Sequence, residues 1–185
     1  MGFLDKLFPN KRNKIVKYDT LVLLVHPLYD LVYTKAGNKN LKAELAKKGN
    51  RLKLKKFLEI YGREMKQYIG KENVCFCLLT PSTGDNQNNI INERYLKDYN
   101  EVLSKFIAKG KEWLGDRFVI SDYYTTHELF NQNAYKRFKR NIQIIGFGEY
   151  GEGCVKAATN VLIPDMLISH GITSKSIVLD EKSYF

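Results

Sequence analysis

Tyr18-Asp19-Thr20-Leu21-Val22-Leu23-Leu24-Val25 decides the fold. The run is short, apolar and β-branched, and no polar residue interrupts Leu21 to Val25. A strand with one wet face alternates apolar and polar residues, so a continuous apolar run reads as a strand covered on both sides. Pro27 makes its continuation as a central strand unfavourable, because proline cannot donate to a ladder.

Similar runs recur along the chain. Val74 to Leu79, Arg117 to Ser121 and Asn141 to Gly146 read as strands, and a shorter one falls at Ser176 to Leu179. Helical periodicity lies between them. Residues 41–48 place Leu41, Leu45 and Ala46 on one face, and Gly49-Asn50 interrupts them. Over 51–69, Leu54, Phe57, Leu58, Tyr61, Met65, Tyr68 and Ile69 recur at three and four, with Gly70 as C-cap. Residues 93–109 form a second amphipathic helix, with Gly110 as the expected stop. Residues 122–140 read as mixed helix and loop, and a helix over about 152–163 ends at Pro164. Strands separated by helices imply βαβ units with right-handed crossovers. The expected fold is α/β, a three-layer αβα domain with a largely parallel, Rossmann-like sheet.

A chain of 185 residues, 44% hydrophobic, suffices for one domain with a substantial core. Residues 1–17 read as a basic appendage and residues 18–185 as the domain. No run reaches the roughly 18 apolar residues of a membrane span. The opening MGFLDKLFPNKRNK lacks the apolar region and cleavage site of a secretory signal. Gly2 suggests myristoylation, but Lys6 occupies the place of the Ser or Thr of that motif. Three cysteines without framework spacing fit a reducing compartment, so the expected location is cytoplasmic. Cys75-Phe76-Cys77 lies in an apolar run and reads as strand packing; the sequence calls for no metal and no cofactor.

In such folds ligands bind beyond the carboxyl ends of the strands. His26 and Asp30 follow the first strand, Thr80, Ser82 and Asp85 the second, Asp122, Tyr123 and His127 the third, Glu149 and Cys154 the fourth. Cys154 follows Gly151-Glu152-Gly153 at the start of a predicted helix, where N–H groups favour a thiolate. The structural reading of the same residue is a small packed thiol.

Gly148-Glu149-Tyr150-Gly151-Glu152-Gly153-Cys154-Val155, followed by Lys156-Ala157-Ala158-Thr159-Asn160, resembles the nucleophile loop and helix of isochorismatase-like cysteine hydrolases. Leu23-Leu24-Val25-His26-Pro27-Leu28-Tyr29-Asp30 is similar to that family's opening strand. The resemblance implies Cys154 as nucleophile and a small amide or related C–N compound as substrate. It puts His26 where the family has its catalytic aspartate, and Asp30 at the second acidic position. No lysine occurs between Val119 and Ala134, where the family's lysine would follow the third strand. A His26–Cys154 couple on this scaffold, or a member that has lost catalysis, both fit the resemblance.

Two other readings stay open. Gly146-Phe147-Gly148-Glu149-Tyr150-Gly151 is a G-x-G-x-x-G between strand and helix, the context of a dinucleotide turn, with Gly146, Gly148 and Gly151 against the phosphates. Glu149 would repel them, and Asp165 has the ribose-ligand spacing without a strand to carry it. Tyr135-Lys136-Arg137-Phe138-Lys139-Arg140 interleaves aromatics with bases, as nucleic-acid surfaces do, and the net charge of +10 favours acidic partners. A solvated lysine-rich surface accounts for the same charge.

Overall fold

The computed structural model describes residues 16–29, 41–81, 93–123, 126–149 and 151–179. Five strands, β1 (Tyr18–Val25), β2 (Val74–Thr80), β3 (Phe118–Asp122), β4 (Phe138–Gly148) and β5 (Thr173–Val178), form one sheet in the order β3-β2-β1-β4-β5. Every pairing is parallel. The expected strands are all present. Val25 aligns with Leu79 of β2 and Gly148 of β4, so β1 is flanked on both edges.

Both faces of β1 are covered as well. Val22 and Leu24 point into one core with Phe57, Tyr61 and Met65 of α2 (Lys48–Lys66) and Leu103 and Phe106 of α3 (Glu93–Leu114). Leu21, Leu23 and Val25 point into the other core. There they meet Val155 and Ala158, Leu129 of α4 (His127–Phe130), and Ile163 and Leu167 of α5. The α5 helix spans Ile163–Ser169, and a short helix, α1 (Leu41–Ala46), precedes α2. Two helical layers thus enclose the sheet, and Leu21 to Val25 are fully buried. Burial of each such side chain contributes about 1.5–3 kcal/mol, which is why an apolar run with no alternation forms a strand here.

Several element ends differ from expectation for identifiable reasons. Gly49-Asn50 does not interrupt: α1 and α2 are separated at Lys47, whose ψ of 135° is extended. Gly110 does not stop α3. A Cβ there would stand 2.4 Å from the Phe118 ring, so the glycine lets β3 pass close beneath the helix, and the backbone turns instead at Gly115 with φ +56°. Pro164 does not end the last helical run. Gly151–Val155 and Ala158–Leu162 are π-helical turns that lead into α5. The Ile163 N–H donates to the Ala158 carbonyl in that wider register. Pro164 has no N–H for the next carbonyl in the series, Thr159, and the Ser176 hydroxyl donates to it at 2.7 Å.

Glycine is required where β4 meets its neighbours. A Cβ on Gly148 would lie 2.1 Å from the Val25 carbonyl oxygen, and its φ is +151°. A Cβ on Gly146 would collide with the Thr159 side chain. Gly148→Ala is therefore expected to destabilise the fold by at least about 2 kcal/mol, through overlap with a backbone that cannot yield. Gly49→Ala, in an open helical position, should stabilise by up to about 1 kcal/mol. Urea unfolding of both variants checks the pair; equal effects would contradict this account of the sheet.

Candidate functional site

The chain leaves β1 toward β2 and β3 on one side and returns to β4 on the other, so the crossover connections diverge between β1 and β4. This is the switch point at which open parallel sheets bind ligands. His26 and Glu149 follow the aligned residues Val25 and Gly148 there. Asp30, Ser82, Asp85 and Tyr150 lie outside the described residues.

The turn out of β1 is strained. His26 has φ +46° and Leu28 φ +63°, left-handed values that non-glycine residues seldom adopt. Hydrogen bonds hold the turn: the His26 N–H donates to the Leu79 carbonyl at 3.0 Å, and the Tyr29 N–H donates to the His26 carbonyl at 3.1 Å. Leu28 is buried among the α2 and α3 side chains, which supplies a compensating term. Such backbone strain, about 1–3 kcal/mol per residue, persists only where surrounding contacts fix it, and it concentrates at functional sites.

The His26 imidazole lies 4.5 Å from the Tyr123 ring and 5.5 Å from the Tyr29 ring, centroid to centroid. It is 6% exposed, and among the described residues its Nε2 has no hydrogen-bond partner. Burial alone lowers its pKa to about 4, so the ring is neutral at pH 7. Tyr123 links this ring to the helical run after β4: its hydroxyl donates to the Cys154 carbonyl at 3.2 Å. Tyr123 is fixed in turn by its N–H, which donates to the Thr80 carbonyl at 2.9 Å. Thr80 donates through its hydroxyl to the Ser121 carbonyl at 3.3 Å, and the Ser121 hydroxyl accepts the Glu128 N–H of α4 at 3.2 Å.

Cys154 is half-buried in the first π-helical turn, where Gly153 departs from helical backbone. The expected lowering of its pKa is not found: burial raises the thiol above its ordinary value, and a local backbone hydrogen bond only partly opposes that. The backbone breaks from helical geometry at Gly153, immediately before the cysteine. Burial pushes Cys75 up to about 12 and Cys77 well above its ordinary value, consistent with strand packing. His26 and Cys154 are thus neighbours through Tyr123, without a hydrogen bond from Nε2 to the sulfur.

Glu149 belongs to the other face of the switch point. It is 3% exposed and lines a small recess with Leu28, Phe57 and Tyr61, at whose rim stand Lys53 and Lys56 of α2. At about 20 Å³ the recess holds roughly one water molecule. Their three-residue spacing near the start of α2 places the two lysines together on one side of the helix. The room left by Gly146 and Gly148 is taken by Thr159 and by the Val25 backbone, so both glycines serve packing. Among the described residues no cluster of His, Cys, Asp or Glu could hold a metal ion, and no helix is long and apolar enough to cross a membrane.

The basic stretch 135–140 lies at the opposite edge of the sheet, and its side chains are largely engaged. Tyr135 stacks on His170 at 4.1 Å, Arg137 covers the Tyr18 ring at 4.8 Å, and Phe138 is buried. Lys139 reaches the Asp19 carboxylate at 2.7 Å and holds that group below its usual pKa. No protein-family model, no curated protein and no solved structure matches the chain.

The buried imidazole makes stability pH-dependent. Its folded pKa of about 4 lies below the ordinary 6.5, so the unfolded chain binds more protons between those values. The stabilisation is complete above about pH 6.5 and declines as pH falls toward 4, by roughly 3 kcal/mol in total. His26→Asn does not titrate and tolerates left-handed backbone. Urea unfolding from pH 7 to 4 should show the native chain losing that much more stability than the variant; parallel curves would contradict the buried neutral imidazole. Iodoacetamide should label Cys154 but not Cys75 or Cys77 in the folded protein, with a rate that keeps rising into the alkaline range because burial raises the thiol. Labelling of Cys154 that already plateaus near neutral pH would contradict the raised thiol.

Proposed function

We propose that this chain is an isochorismatase-like α/β protein that binds a small neutral C–N compound, a carboxamide or a close relative, at the β1–β4 switch point. The observation that carries the proposal is His26 Nε2, buried beside two tyrosine rings with no partner among the described residues. An unmet buried polar atom costs about 1–3 kcal/mol, and a bound group that pairs it recovers that energy. A neutral imidazole offers one donor and one acceptor, and a carboxamide carries both, so it complements His26 in either tautomer. A carboxylate would enter at the expense of its hydration beside a ring that is not charged at pH 7.

Cys154 gives this reading its catalytic form. Its thiolate would attack the amide carbonyl to make a thioester, the amine would leave with a proton, and water would release the acid. The raised thiol pKa makes the attack slow at neutral pH. Binding is therefore the principal activity proposed.

Thermal unfolding with benzamide, and with benzoate as the charged counterpart, tests the proposal. Benzamide should raise Tm, benzoate should not, and His26→Phe, checked by circular dichroism because position 26 has left-handed backbone, should abolish the shift. Equal stabilisation by both compounds, or a shift that survives in His26→Phe, would refute the assignment.

A further inference from the structure

A groove of about 450 Å³ runs between α2 and α3 on the outer surface, far from the switch-point residues in its lining. Leu58, Met65 and Phe106 form its apolar floor, and Arg63, Lys66, Lys105 and Lys109 its rim. Glu59 is the one acidic side chain in the lining, and it faces Lys55 at 3.8 Å. Trp113, the only tryptophan of the chain, belongs to the lining. Lys66 and Lys109 lie 5.3 and 4.9 Å from its ring centroid.

Gly62 makes this groove wider than the fold requires. It stands inside α2, where glycine costs about 1 kcal/mol relative to alanine. A Cβ at Gly62 would meet nothing within 4 Å. Close packing therefore does not account for the glycine, in contrast to Gly110, Gly146 and Gly148. Its effect is to leave the groove open.

We infer that this groove docks an acidic amphipathic helix of a partner protein. The apolar floor takes a row of side chains spaced at i, i+3, i+4 and i+7, and the cationic rim takes carboxylates on the flanks of that row. Leu58 to Lys66 covers roughly 12 Å of α2, enough for two turns of a docked helix. A second copy of the same face is disfavoured, because it would bring four cations against four cations. Single-stranded nucleic acid fits less well: the floor is aliphatic and phenyl, and the indole that would stack a base already has an ammonium group near it from each helix.

The test uses the full chain and a synthetic peptide of about 18 residues, with Leu at helical spacing and Glu, Gln and Ala elsewhere. Fluorescence anisotropy of the labelled peptide measures binding, and Trp113 emission reports occupancy. The expected result is micromolar affinity that falls with salt and drops about ten-fold or more when the same composition is scrambled. Gly62→Leu, which fills the groove at an open position, should weaken binding by a similar factor. The Lys105→Glu/Lys109→Glu double variant should do the same and decides the matter if circular dichroism shows Gly62→Leu unfolded. Absence of binding would overturn the proposal. So would equal affinity for the scrambled peptide, or failure of both variants to weaken the helix. Tighter binding of oligothymidylate with the same sensitivity to the variants would assign the groove to nucleic acid instead.

Discussion

The complete desolvation of β1 is the constraint on which the rest of the molecule depends. A strand buried on both faces and both edges has no water to satisfy its backbone, so β2 and β4 must pair with it along its length. Its side chains must also find apolar cover above and below. That requirement assigns α2 and α3 to one face and the later helices to the other. The order β3-β2-β1-β4-β5 follows, with β1 at the centre and a switch point beside it.

Close approach around that strand explains the local irregularities. Gly148 brings β4 against Val25, and Gly146 brings the helical run down onto β4. The wider π register carries this run past Pro164, and Ser176 of β5 supplies the hydrogen bond that proline withholds. At the end of β1, His26 and Leu28 adopt left-handed backbone. Packing and site are therefore one construction: the contacts that close the sheet also bury the imidazole and set its charge state.

The chain carries its positive charge on surfaces with different environments. At the starting edge of the sheet, Lys139 and Arg137 are held by Asp19 and Tyr18, so much of a conspicuous basic stretch contributes to structure. Between α2 and α3 the cations border an apolar channel. Composition reports one net charge for both. A lysine over a tryptophan beside an open groove has different consequences from a lysine paired across two strands.

The sequence by itself determined the strands, their parallel order of succession and the amphipathic helices, because burial on two faces removes polar residues and burial on one imposes a period near 3.6. It also brought His26, Tyr123, Glu149 and Cys154 to one edge. Only the tertiary structure decided what surrounds each of them there. Whether a glycine stops a helix or admits a neighbour depends on what lies above it: Phe118 for Gly110, Thr159 for Gly146. Whether a cysteine after glycines is an activated thiolate depends on its burial, which raises its pKa. The environment of His26 comes from the rings of Tyr29 and Tyr123, one nearby in sequence and one on another strand end. Periodicity records how often a residue is buried along its own element. Charge state and partnership depend on residues from other elements, and those enter only when the sheet has closed.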